Sequence, residues 1–220
     1  MVRISLFLIL LQFPFFNSDV SMKKAEYSNV VDFNVVKKSF NKNYKNYQLN
    51  ITYPEIRTSQ NEKHYDWSMQ VQDVMVSAIS EFQKNINKIS DKNSFSYLNL
   101  DYSICNSYGN VMGIRFMKRV YYPGMSKVTE LYRTINYNVE TQEFIQLQDL
   151  FSENVNAREL LIDIINSKYS NCKLNKNTRL GSFCLEQDNL LIILDEHTLP
   201  DEFCATEVKI YWEELRPYLK

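Results

Sequence analysis

Apolar residues along the chain recur with two different periods. Trp67, Val71, Val74, Met75, Ala78, Ile79, Phe82, Ile86 and Ile89 follow helical spacing, which predicts an amphipathic helix of about six turns with its stripe facing a core. Asp66 precedes the stripe and is the expected N-cap. Elsewhere the period is two. Tyr47, Leu49, Ile51 and Tyr53 alternate with polar residues, a half-buried strand expected to stop at Pro54. Leu98, Leu100, Tyr102 and Ile104 share one strand face, opposite Asn99, Asp101 and Ser103. Tyr108-Gly109-Asn110 then turns the chain into a strand carrying Met112, Ile114, Phe116, Val120 and Tyr122. Pro123-Gly124 turns it again into a strand over 128–138, and Arg115, Arg119, Glu130 and Tyr132 fall on the other, polar face of this meander.

The flanking segments complete the pattern. Residues 23–46 are rich in Lys and Asn, with Val30, Val31, Phe33, Val35 and Val36 as a short strand-like core; Lys37, Lys38, Lys42 and Lys45 read as a solvated loop rather than a nucleic-acid patch. Asn156 with Glu159 forms a capping-box signature before Leu160, Leu161, Ile164 and Ile165, so a second helix starts there. Residues 183–185 and the continuous apolar run 190–194 are two strands around Asp188-Asn189; Val208 and Ile210 mark a last strand, and 212–219 a short terminal helix. Helices and strands do not alternate strictly. The expected class is α+β: a mainly antiparallel β-sheet with a long helix and a second helix packed on one face.

Two features concern compartment. Arg3 is followed by an almost wholly apolar stretch, 4–16, and then by Asn17, Ser18 and Asp19. The run has the length of a signal-peptide core and is shorter than the roughly 20 residues of a spanning helix. Residues 1–18 are therefore expected to be a signal peptide, leaving a secreted or periplasmic protein with no stable membrane span after cleavage. The 4 cysteines, Cys105, Cys172, Cys184 and Cys204, agree. An even number in an exported chain suggests two disulfides with three possible connectivities. Cys172 and Cys184 flank a short polar loop and are the preferred pair, with Cys105–Cys204 following by elimination; closing such a loop stabilises by roughly 3 kcal/mol.

Composition narrows the chemistry. With 220 residues, 45% hydrophobic and 14% aromatic, the chain can bury a core, and 4 Gly with 5 Pro exclude collagen-like or low-complexity structure. A formal charge of -1 gives no pull toward nucleic acid. No Gly-rich phosphate loop, nucleophile elbow or His-Glu-x-x-His helix is present. Of the 2 histidines, His64 lies among polar residues and is expected to face solvent. His197 follows Asp195 and Glu196, a group able in principle to bind a cation or move a proton, but strand neighbours point to opposite faces, so a surface turn is favoured. No catalytic, cofactor-binding or metal residue is assigned, and no cofactor is expected.

Three segments carry a resemblance: Ile51-Thr52-Tyr53-Pro54-Glu55-Ile56 before the long helix; Tyr137-Asn138, Thr141 and Leu147-Gln148-Asp149-Leu150-Phe151; and the closing strand and helix from Val208 to Leu219. In order and spacing they resemble the paired extracytoplasmic domains of unknown function in the anti-sigma factor RsiV and in the N-terminal region of the peptidoglycan deacetylase PdaC, the RsiV-like C-terminal domain family. The departures fall at turns: Gln142 stands where the family usually has Gly, Pro123-Gly124-Met125-Ser126 replaces a Gly-rich turn containing His, and Phe203-Cys204-Ala205 lacks a Gly expected before the last strand. Tyr137 and Phe144 are spaced to pack around a hairpin-like turn, and Leu147, Leu150 and Phe151 to cap the sheet. Composition sets apart a polar N-terminal segment with a short strand (22–46), and the resemblance implies a PdaC/RsiV-like N-terminal subdomain (47–138) and an RsiV-like C-terminal subdomain (139–220). It also implies an exported, non-catalytic cell-envelope binding protein, whose partner is a lysozyme-like protein or peptidoglycan. The alternative is an envelope-acting hydrolase using Asp195, Glu196 or Glu202.

Overall fold

Strand alternation and one long amphipathic helix dictate the layers. The computed structural model describes residues 23–24, 33–58, 64–89, 94–105, 110–169, 173–194 and 205–220. A seven-stranded sheet runs in chain order through β1 (Lys23–Lys24), β2 (Phe33–Asn43), β3 (Tyr47–Thr58), β4 (Ser96–Ile104), β5 (Val111–Tyr121), β6 (Thr129–Asn138) and β7 (Glu143–Phe144). All its pairings are antiparallel except β3 with β4, which is parallel because α1 (Tyr65–Ile86) crosses between them. A second, three-stranded antiparallel sheet has the order β10 (Glu207–Tyr211), β9 (Asn189–Ile193), β8 (Ser182–Leu185). The α+β class and the mainly antiparallel pairing are as expected.

The stripe on α1 packs as its spacing implies. Trp67, Val71, Val74, Ala78, Ile79 and Phe82 are buried against Leu49, Ile51, Leu98, Leu100, Ile114 and Phe116. Cations at the margin of this face pair with carboxylates of α1: Lys118 reaches Glu81 at 2.6 Å and Arg133 reaches Asp73 at 3.3 Å. His64 is the N-cap, and Asp66 lies inside the first turn, where its charge favours the positive end of the helix dipole without capping it.

The second helix, α2 (Ala157–Lys168), starts at Asn156, whose side chain accepts from the Glu159 backbone N–H at 3.3 Å, as the capping signature predicted. Its location corrects the expected arrangement. Ala157, Leu161, Ile162 and Ile165 pack with Leu190, Ile192, Val208 and Ile210, on the small sheet and not beside α1. The opposite face of the small sheet, Cys184, Leu191 and Ile193, meets Tyr132 of the large one. The order of layers is α1, large sheet, small sheet, α2. Covered on both faces, β9 is buried at every position, which is why residues 190–194 read as one apolar run.

Two strands exceed their expected limits. β3 continues through Pro54 to Thr58 in unbroken register with β2. Its buried positions change phase, from Leu49 and Ile51 to Pro54 and Ile56, so the period-two signal ends although the ladder does not. β4 pairs only with Tyr47–Ile51, so at Pro54 one edge of β3 carries no ladder and a residue lacking an N–H is tolerated. β2 likewise includes Lys37, Lys38 and Lys42, read above as loop; Lys38 lies 3.6 Å from Glu55 and Lys37 lies 4.0 Å from Asp101. The signal-like stretch 1–18, Val30, Val31 and the turn at Tyr108-Gly109 lie outside the described residues. Among the described residues no helix is long and apolar enough to cross a membrane.

Candidate functional site

With α1 covering one face of the large sheet, alternation sends every second side chain of β3 to β6 to the other. The half of that face near β6 is roofed by β8. The Ser182 hydroxyl donates to the Tyr132 carbonyl (3.2 Å), the Phe183 N–H donates to Thr134 Oγ1 (2.9 Å), and Asn136 Nδ2 donates to the Phe183 carbonyl (2.9 Å). A disulfide, Cys105–Cys184, joins the end of β4 to the roof. It replaces the expected Cys172–Cys184 and Cys105–Cys204 pairs: sequence proximity favoured the short loop, but β8 lies over β5 and β6 and brings Cys184 beside the chain leaving β4. Cys172 and Cys204 lie outside the described residues.

The half near β3 is open. Gln48, Asn50 and Thr52 from β3, Tyr97, Asn99 and Asp101 from β4, and Met117, Arg119 and Tyr121 from β5 share it. Asn50, Thr52, Asn99, Asp101, Met117 and Arg119 line a depression of about 230 Å³. Asn50 Nδ2 donates to Asn99 Oδ1 at 2.8 Å, and the Tyr97 and Tyr121 rings stack with centroids 5.7 Å apart.

Between roof and depression runs a charged line. Arg119 Nε donates to Glu130 Oε1 at 2.6 Å, the Tyr132 hydroxyl donates to Glu130 Oε2 at 2.9 Å, and the Arg115 guanidinium sits 4.3 Å from the Tyr132 ring centroid while pairing with Glu207 at 2.5 Å. The hydrogen bond from Arg119 holds the Glu130 carboxyl below the usual carboxylate range, with the Tyr132 hydroxyl adding to it. Partial burial, followed by the hydrogen bond to Glu130 and then the Glu130 charge, pushes the Tyr132 phenol up. The set is a pre-ordered surface of donors and acceptors whose charges are matched.

The polar residues singled out by alternation, Arg115, Arg119, Glu130 and Tyr132, are thus brought together. Glu207, 92 positions from Arg115, joins them only through the small sheet and had no local signal. Asn50 and Asn99 meet because β3 and β4 pair in parallel, a crossover that alternation alone cannot reveal. His64 is a correction: expected in solvent, it is 4% exposed, with Nδ1 3.2 Å from the Tyr137 hydroxyl. His64, at the start of α1, packs at the end of β6, where Tyr137 is fully buried and packs on Phe144 at 5.1 Å, the partner foreseen for it. Asp195, Glu196, His197 and Glu202 lie outside the described residues. Among the described residues no group of three or more His, Cys, Asp or Glu is placed to hold a metal ion.

No family model matches the sequence, and no curated protein does either. Solved structures do share the fold. A DUF3298 family protein from Pseudomonas aeruginosa aligns with a TM-score of 0.60 and 12% identity over 86% of this chain and 94% of its own. A member of the same family from Bacteroides fragilis aligns with a TM-score of 0.54 and 14% identity over 84% of this chain and 94% of its own. At these identities the likeness defines a fold class, the architecture of DUF3298 proteins.

Proposed function

We propose that the protein is an exported, non-catalytic binding protein of the RsiV/PdaC-associated domain type, acting at the cell envelope on a lysozyme-like protein or an envelope glycan. The observation that carries this reading is the polar surface bordering the open half of the large sheet, where Arg119, Glu130 and Tyr132 hold one another at hydrogen-bond distance. Ordering side chains before binding removes part of the entropy cost of association. The DUF3298 architecture and the three sequence segments support the domain type, and the Cys105–Cys184 bond fits an oxidising compartment. The hydrolase reading rests on Asp195, Glu196 and Glu202, and no described feature favours it.

Incubation of the folded mature protein with immobilised lysozyme and with purified peptidoglycan tests the partner. Retention by either supports the reading, and failure of both overturns it. Sequencing the N-terminus of protein recovered from the envelope or medium tests export. Recovery of uncleaved chain from the cytosol with free thiols would contradict it.

A further inference from the structure

We propose that the depression between β3, β4 and β5 is a binding subsite for one N-acetylated sugar ring of an uncharged glycan, with Asn50 and Asn99 reading the acetamido group. The inference rests on the binding reading above and names its ligand class and its face.

Three observations converge. The first is charge. The ionic groups around the depression are matched in pairs, Arg119 with Glu130 at 2.6 Å and Lys37 with Asp101 at 4.0 Å. A matched surface offers hydrogen bonds without a net field, which suits a neutral ligand better than a phosphate, a metal ion or a charged peptide.

The second is the donor and acceptor count. Each carboxamide carries one acceptor oxygen and a two-proton donor. The bond from Asn50 Nδ2 to Asn99 Oδ1 fixes both planes and leaves Asn50 Oδ1 as an acceptor and Asn99 Nδ2 as a donor on adjacent strands. An acetamido group presents the complement, one N–H and one C=O. Two neighbouring hydroxyls can also meet both amides, but only by fixing two rotors, whereas the acetamido group presents its N–H and C=O in one rigid plane.

The third is shape. About 230 Å³ is below the roughly 300–1,000 Å³ of sites for drug-sized ligands and cofactors, and suits a single ring of a longer chain. Two positions along the same strand faces stand Tyr97 and Tyr121, stacked and partly exposed, with apolar ring surface and polar tips suited to the next ring. Met117 gives the depression an apolar element between its polar walls.

Titration calorimetry of the intact mature protein with a chitooligosaccharide and, separately, with a cellooligosaccharide of equal length, which lacks the acetamido groups, tests the proposal. The chitooligosaccharide should bind roughly tenfold or more tightly than its counterpart, as expected when a matched hydrogen-bond pair goes unmet. Asn99→Leu and Tyr97→Ala should each weaken binding by a similar factor, while Met69→Ala, on the exposed side of α1, should not. Should a variant unfold, amide chemical-shift mapping on the unmutated protein decides instead: shifts must centre on Asn50, Asn99 and Arg119. Equal affinity for the two sugars, or shifts centred elsewhere, overturns the subsite. Retention by lysozyme without any response to the chitooligosaccharide overturns it while leaving the binding reading intact; loss of all binding removes both.

Discussion

Gly113 and Cys105 approach so closely that a Cβ on Gly113 would lie 3.2 Å from the Cys105 Cβ, and 3.0 Å from Asn136 Oδ1. The Cys105 N–H also donates to the Gly113 carbonyl at 2.9 Å. Gly113 therefore marks the place where the two sheets close on one another, with the disulfide on one side and the Asn136 amide on the other. Gly113→Ala must displace one of them. Overpacking of this kind costs about 1–3 kcal/mol, and for a chain of this size each kcal/mol lowers Tm by about 2–4 °C. A calorimetric melt unchanged by the substitution would show that the roof yields freely.

The disulfide closes a long loop, its cysteines being 79 positions apart. In the chain-entropy model a loop of that length contributes about 4–5 kcal/mol by restricting the unfolded chain. Cys105→Ser with Cys184→Ser should accordingly lower the denaturant midpoint strongly, with the α1 layer affected less than the small sheet in hydrogen exchange. Non-reducing peptide mapping should recover Cys105 and Cys184 in one linked fragment, leaving Cys172 with Cys204 as the one remaining intramolecular pairing. A Cys172–Cys184 fragment would contradict the layer order.

What was readable from the sequence depended on whether burial was one-sided. β4 and the part of β5 beyond the roof have one face on α1 and one facing outward, so alternation placed Leu98 and Arg119 correctly. Asn156 was readable because a cap is a local hydrogen bond. The roof was not. β9 is buried on both faces, and a continuous apolar run does not say which layers cover it. The position of α2, the Cys105–Cys184 pairing and the recruitment of Glu207 all follow from that unreadable layer. His64 was missed for a related reason: its local neighbours are polar, and its burial comes from Tyr137, 73 positions away.

Gln142 is a small local strain with a readable cause. Its φ of 58° puts a non-glycine residue in the left-handed region, in the turn that joins β6 to β7. The resemblance noted for this segment has Gly at the same place, where the absence of a Cβ removes the penalty of about 1 kcal/mol or more. Gln142→Gly should be neutral to stabilising, by up to about 1 kcal/mol after the added freedom of the unfolded chain is subtracted. Gln142→Val, branched at Cβ, should destabilise. Chemical denaturation of the two variants side by side gives the sign, and a more stable valine variant would refute the strain.

The charged line on the polar face predicts an acid-side response. Glu130 is held below the ordinary carboxylate range chiefly by the hydrogen bond from Arg119. A carboxyl depressed by folding adds stability at pH values above its unfolded pKa of about 4.3, and that contribution disappears as pH falls through the depressed folded value. Below both values the protonated group adds nothing. The side chains of Arg119 and Glu130 are 46% and 34% exposed, so water screens the pair and its worth stays within about 1 kcal/mol. Glu130→Gln should therefore lower Tm slightly at neutral pH and flatten the decline between about pH 5 and pH 3. Arg119→Gln should flatten it similarly, because it removes the main cause of the depression while leaving the carboxyl in place. If the Tm–pH curves of both variants run parallel to the parent through that window, the pair is not held together in solution as it is in the structure.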